Sequence, residues 1–331
     1  MALVQSTAPR DQSTAPAGGP HRLPICGNPF GIAVGRPDLA YVTRTRAATV
    51  ERLDLRTLQF RGGVQLGCTP TCVKFDASGE RAYVTVQYCD EIAVIDARRD
   101  VQIHAFPVPG NPFPLALSPA GRTLFVTTNE DRLFGLNVQN GRLVGSLPLP
   151  ATSHHLALHP SGGRLYVATR TGGSVLEVDT SRYEVIRAFA LGGWPQGLAV
   201  SRDGTTLYVA NERHGLDVVR LASGKRIGVL DLEGGSGNGA VSLALSPNDG
   251  VLYAGLVHSG RIAAIDVASL TLRAMINTGG RPREIAFDQT GKVLIANEAG
   301  WVDILPSDGR RMHQLDQAPL QSNSQAAASA S

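Results

Sequence analysis

The sequence predicts an all-β chain: a seven-bladed ring of four-stranded antiparallel blades, closed by an N-terminal strand that joins the last blade. Three observations carry this. A short apolar segment recurs seven times at near-constant spacing. Each copy lies between an apolar stretch that ends in a turn and a further apolar stretch. The last copy lacks its fourth stretch, and a segment near the N-terminus is available to supply it.

The recurring segment reads "AYVTR" at 40, "AYVTV" at 82, "LFVTT" at 124, "LYVAT" at 165, "LYVAN" at 207, "LYAGL" at 252 and "LIANE" at 294. The starts lie 42, 42, 41, 42, 45 and 42 residues apart, and a fixed period marks a repeat architecture. A strand and turn precede each copy, as in "VKFDASGE", "LAVSRDGT" and "LALSPNDG"; Asp, Asn, Pro and Gly are turn formers. A third strand follows, such as "IAVIDA" at 92, and then in six units a fourth, such as "EVIRAFAL" at 184. Four short strands in each repeat of about 42 residues is the pattern of a β-propeller. Two β-sandwich domains would leave a repeat across the whole chain unexplained.

After "WVDIL", Trp301 to Leu305, the chain runs into "SNSQAAASAS". The segment "HRLPIC", His21 to Cys26, matches "GSLPLP" at 145–150, the fourth-strand position of unit three. Ends that share one blade leave no exposed edge at the seam. The propeller is therefore expected over 21–306. Residues 1–20 and 307–331, low in apolar residues and rich in Ser, Gln, Ala and Pro, are expected to be disordered tails.

Units such as "LYVAN" at 207, with "SRDG" before it and "GLDVV" after, resemble the YVTN-repeat family of seven-bladed propellers over roughly residues 21–306. The resemblance implies membership of a wider lactonase-like group that includes hydrolases, lyases and binding proteins. None of that group's catalytic signatures carries over residue by residue.

Composition narrows the classes. The chain has 331 residues, is 43% hydrophobic and 18% charged, and carries a net charge of only +3. Bulk electrostatics therefore indicates no nucleic-acid or membrane partner, and no apolar run approaches the ~20 residues of a membrane helix. The first twenty residues lack an apolar stretch of signal-peptide type, so a cytoplasmic location is expected. Cys26, Cys68, Cys72 and Cys89 are then expected as thiols. Cys68, Cys72 and Cys89 map to the top of the second blade, where small buried hydrophobes, a disulfide such as Cys72–Cys89, and a reactive thiolate are the alternatives.

In an up-and-down blade the loop between second and third strands shares a face with the link into the next blade. On that top face the links depart most from the repeat. Aligned on the Pro that opens the first strand, the next position reads Phe30, Thr71, Phe113, His154, Gln196, Val241 and Arg283; the one after reads Gly31, Cys72, Pro114, His155, Gly197, Ser242 and Glu284. These positions lie nearest the axis and can reach a channel mouth.

Four of the eight histidines fall on this face: His154, His155, His214 and His258. Imidazole serves as acid, base or metal ligand near neutral pH. Arg170, Arg213, Trp194, Arg281, Arg283, Arg44 and Arg46 stand around the same mouth, with Glu212, Glu284 and Glu298 among them. Arginine grips carboxylate or phosphate through paired hydrogen bonds. The set suits a small anionic ligand, with His154, His155, His214 and Glu284 as acid–base candidates and the arginines, His258 and Trp194 as binding candidates.

No motif signals a cofactor: there is no Walker loop, no GxGxxG opening a helix, no G-x-S-x-G elbow, and no HExxH or paired CxxC. A divalent metal held by histidines from different blades stays open. The glycine-rich "GGSGNG" at 234–239 reads as an enlarged link or a flap. An enzyme of lyase, isomerase or hydrolase type is the first expectation. A non-catalytic scaffold binding a protein or ligand through the same face is the alternative, kept open by Phe30, Phe113, Tyr88 and Trp194. The tip "NERHG", 211–215, is first a hairpin turn and second a possible site element.

Overall fold

Apolar residues fill every second strand because that strand lies mid-sheet with both faces covered: Leu39 to Val42, Leu165 to Val167 and Leu207 to Ala210 are all buried. The structure, a computed structural model, describes residues 20–232 and 239–306, except for the side chain of His154. Within them lie 28 strands and no helix. The strands form seven four-stranded antiparallel sheets. Six are built from consecutive strands, over residues 29–65, 69–107, 112–148, 153–190, 195–230 and 242–277. The tails lie outside the described residues apart from Pro20, as does the glycine-rich link apart from Gly239.

The seventh blade joins both ends of the chain. His21–Pro24 pairs antiparallel with Trp301–Leu305, His21 opposite Ile304 and Pro24 opposite Trp301. Arg22 holds this seam: its Nε lies 3.0 Å from Asp303, whose side chain is fully buried, and its guanidinium stacks over Trp301 at 4.2 Å. Seven apolar clusters fill the ring, each shared by two successive blades, including one between blades 7 and 1. The core is thus a closed circle of blade-to-blade contacts.

A β-bulge recurs near the start of the first strand. Register shifts between Pro29 and Ile32, Pro70 and Val73, Pro112 and Leu115, Ser153 and Leu156, Pro195 and Leu198, and Pro282 and Ile285. Each shift leaves two residues outside the ladder, and bulges re-aim side chains. The freed pairs, such as Phe30-Gly31 and Arg283-Glu284, are the positions that sequence alignment placed at the axis.

Candidate site at the channel mouth

The bulge pairs of six blades, with the equivalent Val241-Ser242 of blade 6, surround one cavity of about 500 Å³. Phe30, Cys72, Phe113, His155, Gln196, Ser242 and Glu284 bring one residue from each blade to its wall. Tips of the second-to-third loops complete the rim: Gln87, Asn129, Arg170, Glu212 and His258. Links and loops that adjoin in the blade therefore share one mouth.

Of the residues singled out in the sequence, His155, Arg170, His258, Arg281, Arg283 and Glu284 line this cavity. Arg44, Arg46, Trp194, Arg213 and His214 do not. Arg44 donates to Cys26 O at 2.6 Å and pairs with Glu51; Arg46 is exposed. His214 Nε2 lies 2.9 Å from Asp217, which is fully buried and also receives Arg226. In blade 7 the indole of Trp301 bonds Asp303 in the same manner, at 2.8 Å. The tip "NERHG" is organised by Asn211, which accepts from Trp194 N and Arg213 N and donates to Gly192 O and Asp217. His214 thus belongs to the frame of its turn, and the turn's contribution to the mouth is Glu212.

Glu212 is buried and anchors a wall of the cavity. Arg170 grips it with two hydrogen bonds, of 3.0 and 2.9 Å, and Gln196 donates to the same carboxylate. Burial pushes the Glu212 pKa up, but the hydrogen bonds from Arg170 and Gln196, with the charges of Arg170 and His258, hold it below the ordinary value. Trp194 packs under both Arg170 and Arg213, at 4.5 and 3.8 Å from its ring, so the indole orients the arginine that faces the cavity.

On the opposite side, Arg281 and Arg283 both pair with Glu298, at 3.1 and 2.9 Å. Arg283 also lies over the ring of Phe30, 5.2 Å away. Phe30 meets Phe113 edge-on at 5.6 Å, and Phe113 meets His155 edge-on at 5.7 Å. An aromatic row therefore runs from Arg283 to His155 across blades 1, 3 and 4.

Deeper in the channel, Lys74 donates to Glu284 at 2.6 Å, and the other carboxylate oxygen of Glu284 accepts from Ile32 N at 3.3 Å. Gly31 makes room for this contact: a Cβ there would lie 3.1 Å from Glu284 and 2.2 Å from Thr71 O. Enclosure alone would lower the Lys74 pKa, but the Glu284 carboxylate outweighs it and the net direction is up. The neighbouring Cys72 thiol is raised by burial and, less, by Glu284, which opposes thiolate chemistry. Sequence reading missed Lys74, although a signal existed. The corresponding position in the other six blades is alanine: Ala33, Ala116, Ala157, Ala199, Ala244 and Ala286.

Cysteine pairing differs from the expectation of thiols. Cys68 and Cys89 form a disulfide, while Cys26 and Cys72 are free. Thr69 pairs with Gln87 at the end of the ladder, and this brings the two flanking cysteines to a Cα separation of 5.9 Å, within bonding geometry. Cys72 sits in the bulge, turned to the channel instead of the loop. Among the described residues no group of three or more His, Cys, Asp or Glu side chains is placed to hold a metal ion.

No protein-family model and no curated protein matches the chain. Solved structures do. Hydrazine synthase from Kuenenia stuttgartiensis matches with a TM-score of 0.77 at 19% identity, over 90% of this chain and 99% of that one. A streptogramin B lyase structure matches with a TM-score of 0.75 at 14% identity, over 86% and 96% respectively. At these identities the likeness is one of fold, and it agrees with the seven-bladed propeller.

Proposed function

We propose that the channel mouth is the active site of an enzyme acting on a small anionic molecule by acid–base chemistry of lyase, isomerase or hydrolase type. One observation carries this reading: all seven blades converge on a cavity of about 500 Å³ that holds two imidazoles, three arginines and two carboxylates. That volume is in the range of small-molecule sites. In this reading Arg281 and Arg283 receive the anionic group, since guanidinium offers paired donors. His155 and His258 exchange protons with the substrate, and Glu212 fixes Arg170. Both structural neighbours are enzymes by name, and one is a lyase, which supports a catalytic propeller. The YVTN-like repeat supports the scaffold and is silent on the reaction.

The test is a screen of small carboxylates and phosphate esters for conversion, followed by mass spectrometry. A converted compound is expected to survive unchanged with His155→Ala or His258→Ala at unaltered unfolding midpoint. Full conversion by both variants contradicts the roles given to these histidines. Binding without conversion of any compound favours the scaffold alternative.

A further inference from the structure

The cavity wall is divided. Blades 1 to 3 contribute Phe30, Phe113, Pro114 and Leu115, whereas blades 4 to 7 contribute most of the charge. Phe30 and Phe113 meet edge to face at 5.6 Å, and their partial exposure faces the channel. Aromatic faces held in this way stack a further ring in offset or edge-on geometry.

Charge sets a second limit. Lys74, Arg170, Arg281 and Arg283 line the cavity, and the carboxylates that pair with them are Glu212, Glu284 and Glu298. Four cations stand against three anions, so one positive charge is left uncompensated. Two arginines share the single carboxylate of Glu298, which locates the surplus at Arg281 and Arg283. Arg283 is also the residue that lies over Phe30. The surplus charge and the aromatic row therefore meet at one point.

We propose that the ligand is an aromatic molecule bearing a single carboxylate, with its ring on Phe30 and Phe113 and its carboxylate at Arg283. The proposal rests on the reading of the mouth as an anion-binding site and narrows it to a chemical class. A site for a doubly charged phosphate would leave the second charge without a partner, and a site for a short aliphatic acid would not use the aromatic row.

Four probes test this in calorimetric titrations of the full chain at low salt: benzoate, acetate, benzyl alcohol and phenyl phosphate. Benzoate is expected to bind at least about tenfold more tightly than acetate or benzyl alcohol, and no more weakly than phenyl phosphate. In Phe113→Leu, with folding checked by circular dichroism, the preference for benzoate over acetate should fall towards unity. A benzoate-to-acetate preference below about tenfold overturns the aromatic class while leaving the anion site standing. Tighter binding of phenyl phosphate overturns the single charge. Benzyl alcohol binding as well as benzoate overturns both this proposal and the anion site beneath it, as does the absence of heat from all four probes.

Discussion

In blades 1 and 2 a buried threonine ties each first-strand bulge to the next blade. The Thr43 hydroxyl accepts from Gly31 N at 2.7 Å and donates to Thr71 O at 2.6 Å; Thr85 accepts from Cys72 N at 3.0 Å and donates to Phe113 O at 2.6 Å. Thr127 occupies the same position in blade 3 and is equally buried. In blades 4 to 7 that position holds Ala168, Ala210, Gly255 and Ala296. Those blades carry His155, Arg170, Glu212, His258 and Arg283. The comparison teaches that blades 1 and 2 tie their bulges to the next blade through a threonine hydroxyl, whereas blade 5 makes that tie directly, from Gly197 N to Val241 O, and blades 4 to 7 place side chains in ion pairs facing the cavity. Such a division is expected where a rigid scaffold holds the groups that meet a ligand.

Four changes break or sharpen this contrast. The largest effect is expected at the seam that closes the second half. Deleting residues 1–27 removes the outer strand of blade 7 and leaves Asp303 buried without Arg22. Stability should fall by about 3 kcal/mol or more, whereas deleting 1–18 should leave the unfolding midpoint unchanged. Equal midpoints contradict the closure.

The braced half also carries a covalent clamp. Removing the Cys68–Cys89 bond in a C68A/C89A variant should cost about 2–4 kcal/mol with unaltered benzoate affinity. Alkylation sharpens the point: the native chain should label at Cys26, the unfolded unreduced chain at Cys26 and Cys72, and only the reduced chain at all four cysteines.

Thr85→Val keeps shape but leaves Cys72 N and Phe113 O without their partner. Chemical denaturation should show a loss of about 1–3 kcal/mol, largely restored in Thr85→Ser. Ala210→Thr, its counterpart in blade 5, should bring no comparable gain if the second half does not rely on such braces.

The smallest effect concerns pH. Glu212 is held below the ordinary Glu value of about 4.5, so its pairing stabilises the fold fully above that value. The contribution is lost as pH falls through the lowered pKa. Glu212→Gln should cost about 1 kcal/mol at neutral pH and flatten the stability profile between about pH 5 and 3. An unchanged profile would show that the Arg170 pair contributes nothing there.

The fold was legible because its signal is a period. Seven copies of one segment specify seven blades, and the missing fourth strand after Leu305 pointed to His21–Pro24. The mouth was legible at the bulges, since Pro29, Pro70, Pro112, Pro195 and Pro282 mark the register from which Phe30, Phe113, Arg283 and Glu284 are counted. Partnerships between blades were not legible, because no local rule tells which side chains meet across a turn. His214 reads as a free imidazole in sequence but is held by Asp217 three residues on. Arg170 and Glu212 are 42 residues apart and form a bidentate pair. Lys74 lies inside a strand pattern that looks like core, and only its contrast with six alanines betrays it.

The central claim is that the ligand's carboxylate is held by Arg283, in the half of the mouth without threonine braces. Calorimetric titration of acetate, which carries the carboxylate without a ring, into the wild type, Thr85→Val and Arg283→Gln tests it most directly. Thr85→Val is expected to bind acetate like the wild type despite its lower stability, and Arg283→Gln to bind it about tenfold more weakly. Equal affinity in Arg283→Gln and wild type, or a loss in Thr85→Val as large as in Arg283→Gln, would contradict it.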